Sequence, residues 1–299
     1  MIQVIEGIEY ASVFGYRPLL LDLYRPPASG ARPPAVLFLH GGGWALGDRK
    51  LTAPAFGTWS PGFFERLAAA GFAVASADYR LSSEAVYPAQ LHDAKAAVRW
   101  LRRHAAEYGF DGERIVAWGT SAGAHLAALV GLTGDSPDPA VEGEVSEGGP
   151  PGGPPGHPQA PVGPPESSAV TAVIDWYGPA DLVTLAVETG GIMEHDSEQS
   201  PEGRLIGARV SENPALAKAA SPLSHVHPGA PPFQLKHGTA DRGVPVWQSQ
   251  ALASALRAAG VPVETEWVDG GDHMWEGVSP ARVTELFDSS VEFARRQTS

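Results

Sequence analysis

Gly119-Thr120-Ser121-Ala122-Gly123 follows the apolar run Arg114-Ile115-Val116-Ala117-Trp118 and precedes the helix-forming stretch from Ala122 to Leu132. A strand that turns sharply through G-x-S-x-G into a helix lifts one serine hydroxyl clear of the backbone. Glycines flank the serine because the turn is strained and the helix passes close to neighbouring strands, where a Cβ would collide. With 35 Gly in the chain, the pentapeptide is not rare by composition, and its surroundings decide what it means.

Upstream, Ala35-Val36-Leu37-Phe38-Leu39 reads as a fully buried strand that runs into His40-Gly41-Gly42-Gly43-Trp44. Three glycines after a buried strand expose backbone N–H groups, and such donors bind the negative oxygen that develops on a carbonyl under attack. A strand followed by HGGG is the loop expected to complete the oxyanion hole of a G-x-S-x-G hydrolase. Downstream, Pro232-Phe233-Gln234-Leu235-Lys236 is another buried strand, and Asp241 lies on the loop after it. Val263 to Val268 reads as the next strand, and Asp269-Gly270-Gly271-Asp272-His273-Met274-Trp275 follows on the same edge. The chain order Ser121, Asp241, His273 is that of nucleophile, acid and base in α/β-hydrolases, and differs from the orders in the chymotrypsin and subtilisin folds.

With these motifs the chain resembles the hormone-sensitive-lipase-like esterases of the α/β-hydrolase fold. HGGGW followed by Gly47-Asp48, together with GTSAGAH, is most similar to the bacterial feruloyl-esterase-like and carboxylesterase branch. The resemblance runs from Leu21-Asp22-Leu23-Tyr24-Arg25-Pro26 to His273. It implies a serine carboxylic-ester hydrolase working through an acyl-enzyme on a small-molecule ester; small to medium esters are expected, and the aromatic residues near the motif loops leave room for aromatic ones. Many members of the wider group carry GDSAGG and an acid loop D-P-L, where this chain has Thr120, Ala124 and Asp241-Arg242-Gly243-Val244-Pro245. Substrate choice therefore does not transfer.

Each residue type answers a chemical need. A serine hydroxyl is a weak nucleophile until an imidazole takes its proton, and a free histidine titrates at about 6.5, near operating pH. Asp241 is expected to accept the other imidazole N–H and stabilise the cation formed during attack. Ala122, which follows the nucleophile, offers one oxyanion N–H, and the resemblance adds those of Gly42 and Gly43. This chemistry requires no metal and no organic cofactor. Amide hydrolysis of the arylformamidase or small-peptidase type would use the same three residues, and a non-catalytic binding module is the remaining alternative.

Other candidates fall to simpler readings. Asp269 and Asp272 flank His273, but near neighbours in sequence point elsewhere. Glu194-His195-Asp196 and His225-Val226-His227 look like metal-ligand clusters, yet lie on no identified strand end or helix face, so solvated loop residues are expected and no metal site. His40 is expected to brace the glycine loop by hydrogen bonding. Trp44, Trp176, Tyr177, Trp247 and Trp275 all lie close in sequence to the motif loops and are candidates to line a substrate pocket.

Composition agrees. The chain of 299 residues is 43% hydrophobic and can bury a large core. A net charge of −13 argues against nucleic acid and anionic membranes as partners, since both reward a basic face. With no cysteine, disulfides and thiolate metal sites are excluded. The N-terminus shows no basic region followed by a long apolar segment, and no run approaches the ~18 apolar residues of a transmembrane helix, so a cytoplasmic protein is expected. A monomer and a homodimer are both compatible with the sequence.

Extended segments near 3–10, 18–24, 35–39, 72–77, 114–118, 170–174, 232–236 and 263–268 alternate with helical ones at 61–70, 88–108, 122–132, 246–259 and 280–296. The series predicts one α/β domain over 1–299, a mainly parallel eight-stranded sheet with helices on both faces and its first two strands antiparallel at one edge. Ligands bind beyond the carboxyl ends of such strands, so the motif loops should share one rim. Two stretches break the rhythm: a Pro/Gly-rich insertion at 134–168 and an irregular segment at 181–221, the latter expected to act as a cap.

Overall fold

Period-two burial explains the sheet. In the third strand Ala35, Leu37 and Leu39 pack into one core while Val36 and Phe38 pack into the other, so the strand is apolar throughout because both faces are covered. The computed structural model describes residues 1–13, 15–27, 30–143, 166–187 and 193–299. Its strands are β1 (Gln3–Ala11), β2 (Leu19–Arg25), β3 (Pro34–Leu39), β4 (Ala73–Ala77), β5 (Asp111–Thr120), β6 (Ala172–Trp176), β7 (Phe233–Gly238) and β8 (Val263–Val268). They form a single sheet in the order β1-β2-β4-β3-β5-β6-β7-β8. The pairs β1–β2 and β2–β4 are antiparallel and every later pair is parallel. This is the α/β-hydrolase architecture.

The helices are α1 (Phe63–Ala69), α2 (Ala89–Tyr108), α3 (Ala122–Thr133), α4 (Pro139–Glu142), α5 (Leu182–Leu185), α6 (Pro201–Ile206), α7 (Pro214–Ala219), α8 (Trp247–Ala258) and α9 (Pro280–Gln297). Leu91 and Leu101 of α2, Leu126 and Leu129 of α3 and Leu252 and Leu256 of α8 pack on one sheet face. Phe63 and Leu67 of α1 pack on the other with Val283, Leu286 and Phe287 of α9. Among the described residues no helix is long and apolar enough to cross a membrane.

The two irregular stretches contain the short helices α4 to α7, none longer than 6 residues. Three are started by local caps: Asp138 accepts from Ala140 N, Asp181 from Val183 N and Ser200 from Gly203 N. One or two turns carry no readable periodicity, which is why these pieces look irregular in sequence. The densest Pro/Gly part of the insertion, 144–165, lies outside the described residues. Its flanks are tied down where Ser168 N and Ser167 Oγ both donate to the Asp135 carboxylate.

Candidate active site

The turn from β5 into α3 is as tight as its glycines imply. Ser121 adopts φ 53° and ψ −121°, a backbone conformation that costs energy for a residue with a side chain. A Cβ on Gly119 would overlap the Gly123 carbonyl, and one on Gly123 would overlap the Leu39 carbonyl of β3. Ser121 N–H donates to Trp176 O of β6, pinning the turn to the neighbouring strand.

Ser121, Asp241 and His273, distant in sequence, meet at the carboxyl ends of β5, β7 and β8. His273 Nε2 lies 2.9 Å from Ser121 Oγ, and His273 Nδ1 lies 2.7 Å from Asp241 Oδ2. A carboxylate only accepts, so Nδ1 carries the hydrogen and Nε2 is left to accept from the serine hydroxyl. The Asp241 carboxylate is buried. Oδ1 accepts from Gly243 N and Val244 N, while Oδ2 also lies 3.1 Å from His237 Nε2. Burial pushes Asp241 up, but hydrogen bonds from His237 and His273 and their charge outweigh it and hold the group well below the ordinary carboxylate range.

Behind the acid stands His237, wholly buried, a residue the sequence reading passed over. Its Nε2 is 2.7 Å from Val244 O, which fixes a hydrogen there, and its Nδ1 lies 2.7 Å from Ser249 Oγ. Asp269 and Asp272 do not reach the His273 ring. Asp272 accepts from His273 N, Arg242 N and the Arg242 side chain, and Asp269 lies against Thr239.

The loop after β3 sits opposite. Gly42 has φ 109°, and a Cβ there would overlap the Leu46 carbonyl; its own carbonyl accepts from Ala45 N and Leu46 N. Among the described residues nothing accepts from the N–H groups of Gly42, Gly43 or Ala122. His40 Nδ1 lies 2.7 Å from Gly41 O, and its ring stacks on Tyr79 at 4.3 Å, whose hydroxyl donates to His40 O. Trp44 Nε1–H donates to His125 Nδ1 at 3.3 Å, and His125 Nε2 lies 2.7 Å from Ala220 O. Burial lowers the His125 pKa to about 4 despite the bond to Ala220 O, so the ring is neutral, as a bridge between one donor and one acceptor demands.

Between these loops lies a cavity of about 300 Å³ lined by Gly42, Gly43, Ser121, Ala122 and His273. Trp44 and Tyr177 line it too. Trp176, Trp247 and Trp275, also candidates in sequence, are not among its lining residues. Trp176 is the last residue of β6 and points to the α9 face, where it packs on Phe56, Phe63 and Trp118 and donates to Ser290 Oγ. Trp275 is wedged between Trp176 and Tyr177. Trp247 opens α8, half-buried. A second correction concerns His195, expected to be solvated. It is 3% exposed, lines the cavity and stands 3.1 Å from the equally buried Glu202. His225 does stay at the surface, near Ala219 O, and among the described residues no group of acidic and histidine side chains has the arrangement of a metal site.

The fold and these loops define an α/β-hydrolase of the hormone-sensitive-lipase-like type. The chain belongs to the BD-FAE family, whose profile matches residues 21–256. It is 36% identical to esterase LipQ of Mycobacterium tuberculosis over 82% of its own length and 51% of that relative. It thus spans about half the length of the curated relatives it matches. Among solved structures it is similar to a truncated carbohydrate esterase from gut microbiota, with a TM-score of 0.79 and 29% identity over 99% of this chain and 96% of that one. It is also similar to Est2 of Thermogutta terrifontis, a thermophilic esterase, with a TM-score of 0.68 and 28% identity over 96% and 91% of the two chains. Est2 has been solved with propionate bound and after phosphonylation by sarin.

Proposed function

We propose that the protein hydrolyses carboxylic esters through an acyl-enzyme on Ser121. The reading rests on the run of contacts from Ser121 Oγ to His273 to Asp241, at 2.9 and 2.7 Å. His273 Nε2 takes the serine proton as Oγ bonds the carbonyl carbon, and the carbonyl electron pair moves onto oxygen, held by the N–H groups of Gly42, Gly43 and Ala122. Collapse breaks the bond to the alcohol, which leaves with the proton from His273. Water then gives a proton to His273 and attacks the acyl carbon; collapse returns Ser121 and releases the acid. Asp241 stays ionised throughout, balancing the imidazolium.

The names of the relatives support ester chemistry, and the sarin adduct on Est2 fits a nucleophile at the homologous turn. A cavity of about 300 Å³ lined by Trp44, Leu51, Tyr177, Val244 and Met274 is at the small end of ligand sites and suits small to medium esters. Part of the 181–221 segment acts as a cap, with Met193, His195, Pro201 and Glu202 on the cavity wall.

The test is turnover of p-nitrophenyl acetate, butyrate and octanoate by the protein and by Ser121→Ala. Turnover should fall by about 10⁶ in the variant, the loss typical when a triad serine is removed, and a fluorophosphonate should label Ser121 alone. A folded protein inert on all three esters would sink the reading. Faster turnover of a matched aryl formamide would move it to amide hydrolysis.

A further inference from the structure

His195 and Glu202, 3% and 2% exposed, sit side by side in the wall of a largely apolar cavity, on a different segment from Ser121 and His273. His195 Nδ1 is at ion-pair distance from Glu202 Oε1, 3.1 Å. Even so, among the described residues neither ring nitrogen of His195 makes a hydrogen bond, nor does Glu202 Oε2, and all three atoms are shut off from solvent. Their neighbours are satisfied: Ser200 Oγ lies 2.7 Å from Ser197 O and caps Gly203 N, and Asp196 Oδ1 accepts from Ser211 N. Within this segment the orphaned atoms belong to the two side chains that line the cavity; across it the Tyr177 hydroxyl is unpartnered too among the described residues. Pro201, between them in sequence, stands over the glycine loop, close enough that a Cβ on Gly43 would touch it. This puts the pair beside the place where the proposed reaction develops its oxyanion.

Burying a carboxylate and an imidazole without hydrogen bonds is costly, and a fold that needed only an apolar wall would carry apolar residues there. We propose that His195 and Glu202 determine specificity by taking a hydroxyl group of the substrate, so that the preferred esters carry a hydroxyl on the acyl or the alcohol part. A hydroxyl donates and accepts at once. A modest rotation of the Glu202 carboxylate turns Oε2 to accept from it, while a ring nitrogen of His195 meets the same oxygen. An alkyl ester of equal size leaves both groups unpaired, and sites built to bond a hydroxyl discriminate strongly against analogues that lack it. The inference rests on the ester-hydrolase reading and narrows its substrate class.

Two matched pairs test it: glyceryl monobutyrate against propyl butyrate for the alcohol side, and ethyl 3-hydroxybutyrate against ethyl butyrate for the acyl side. Each kcat/KM is divided by the alkaline hydrolysis rate of the same ester. We expect a hydroxyl-to-alkyl ratio of about tenfold or more in one pair, the worth of one good hydrogen bond. Glu202→Leu should abolish that preference, and Glu202→Gln, which still bonds a hydroxyl, should retain most of it. His195→Phe carries the same expectation as Glu202→Leu and guards against a Leu variant that fails to fold. Ratios at or below one in both pairs, or a preference that survives in folded Glu202→Leu or His195→Phe, overturn the proposal. Calorimetric binding of glyceryl monobutyrate and propyl butyrate to Ser121→Ala reads the same preference without turnover. Failure of catalysis and failure of hydroxyl recognition are thereby told apart.

Discussion

The rim of strand ends and the segment that covers it are made in different ways. The rim loops follow β3, β5, β6, β7 and β8, and positive φ gathers there: Trp44, Ser121, Tyr177, Met274 and Trp275 all have it. The sheet holds these turns in place, since parallel neighbours pair with each strand up to the turn. The facing segment, residues 193–221, is built from α6, capped by Ser200, from α7, which has no side-chain cap, and from loops tied to the rest by a few anchoring points. Long-range topology therefore brings Ser121, Asp241 and His273 together, while locally ordered pieces form the facing wall of the cavity. Substitutions in the two regions should fail differently, the rim in kcat and the cover in selectivity.

After removal of Ser121 itself, the largest effect is expected at the acid. Asp241→Asn keeps the shape but invites the wrong His273 tautomer, and kcat should fall by about 10⁴. Because Asp241 is held below the ordinary range, its contribution to stability is fully present above the unfolded carboxylate value and is lost as pH falls through the lower folded one. The stability gap between the protein and Asp241→Asn should then be constant above about pH 5 and narrow in acid, as chemical denaturation across pH would register. A gap that widens in acid would remove the carboxylate from this network. Next comes Gly42→Ala. A φ of 109° and overlap with the Leu46 carbonyl force the loop to move, and the loss of one oxyanion donor should cost about 10²–10³ in kcat with little change in KM. A loss confined to KM would place the loop in binding instead.

A smaller effect is expected at the joint between the two regions. His125 on α3 bridges Trp44 of the rim to Ala220 of the cover. His125→Phe keeps the ring and severs both bonds, leaving a buried donor and a buried acceptor unpaired. We expect a fall in kcat of about tenfold together with a lower thermal midpoint. Wild-type kcat in a destabilised His125→Phe would mean that the rim needs no support from the cover.

How much of this was legible in the sequence follows the same division. The eight strands and the long helices could be read because each is a run of buried residues long enough to show a period, and Ser121, Asp241 and His273 because each follows a strand. The β5 strand begins earlier than its apolar run, since Asp111 pairs with Pro34 of β3 ahead of an irregularity in the ladder. Trp176 and Trp275 were misread as pocket residues because proximity in sequence does not tell which sheet face a side chain takes. His195 reads as solvated and Glu202 gives no signal because both sit in a polar stretch of sequence, whose burial depends on tertiary packing. His237 carried a usable signal: a histidine inside an apolar strand, four residues before the acid, needs a polar partner.

The smallest expected effect on rate, and a separate test of how rigid the rim's foundation is, comes from Asp175 in β6. The side chain is fully buried; Oδ1 accepts from Gly178 N, and Oδ2 has no partner among the described residues. Burial raises its pKa to about 6 from 3.8, against a weaker pull from the Gly178 N–H and the His237 charge. The folded state thus binds the proton more tightly than the unfolded one. Stability from this group is fully present below pH 3.8 and is lost as pH rises through about 6. Asp175→Asn keeps an oxygen for Gly178 N and cannot ionise. Relative to the natural protein it should gain about 2 kcal/mol between pH 4 and 7, read from denaturant midpoints, with kcat within about twofold. A constant difference across that range would mean that Asp175 stays ionised in the folded protein. The strand beside the nucleophile turn would then have to admit solvent or a cation, and the rigid half of the comparison would need revision.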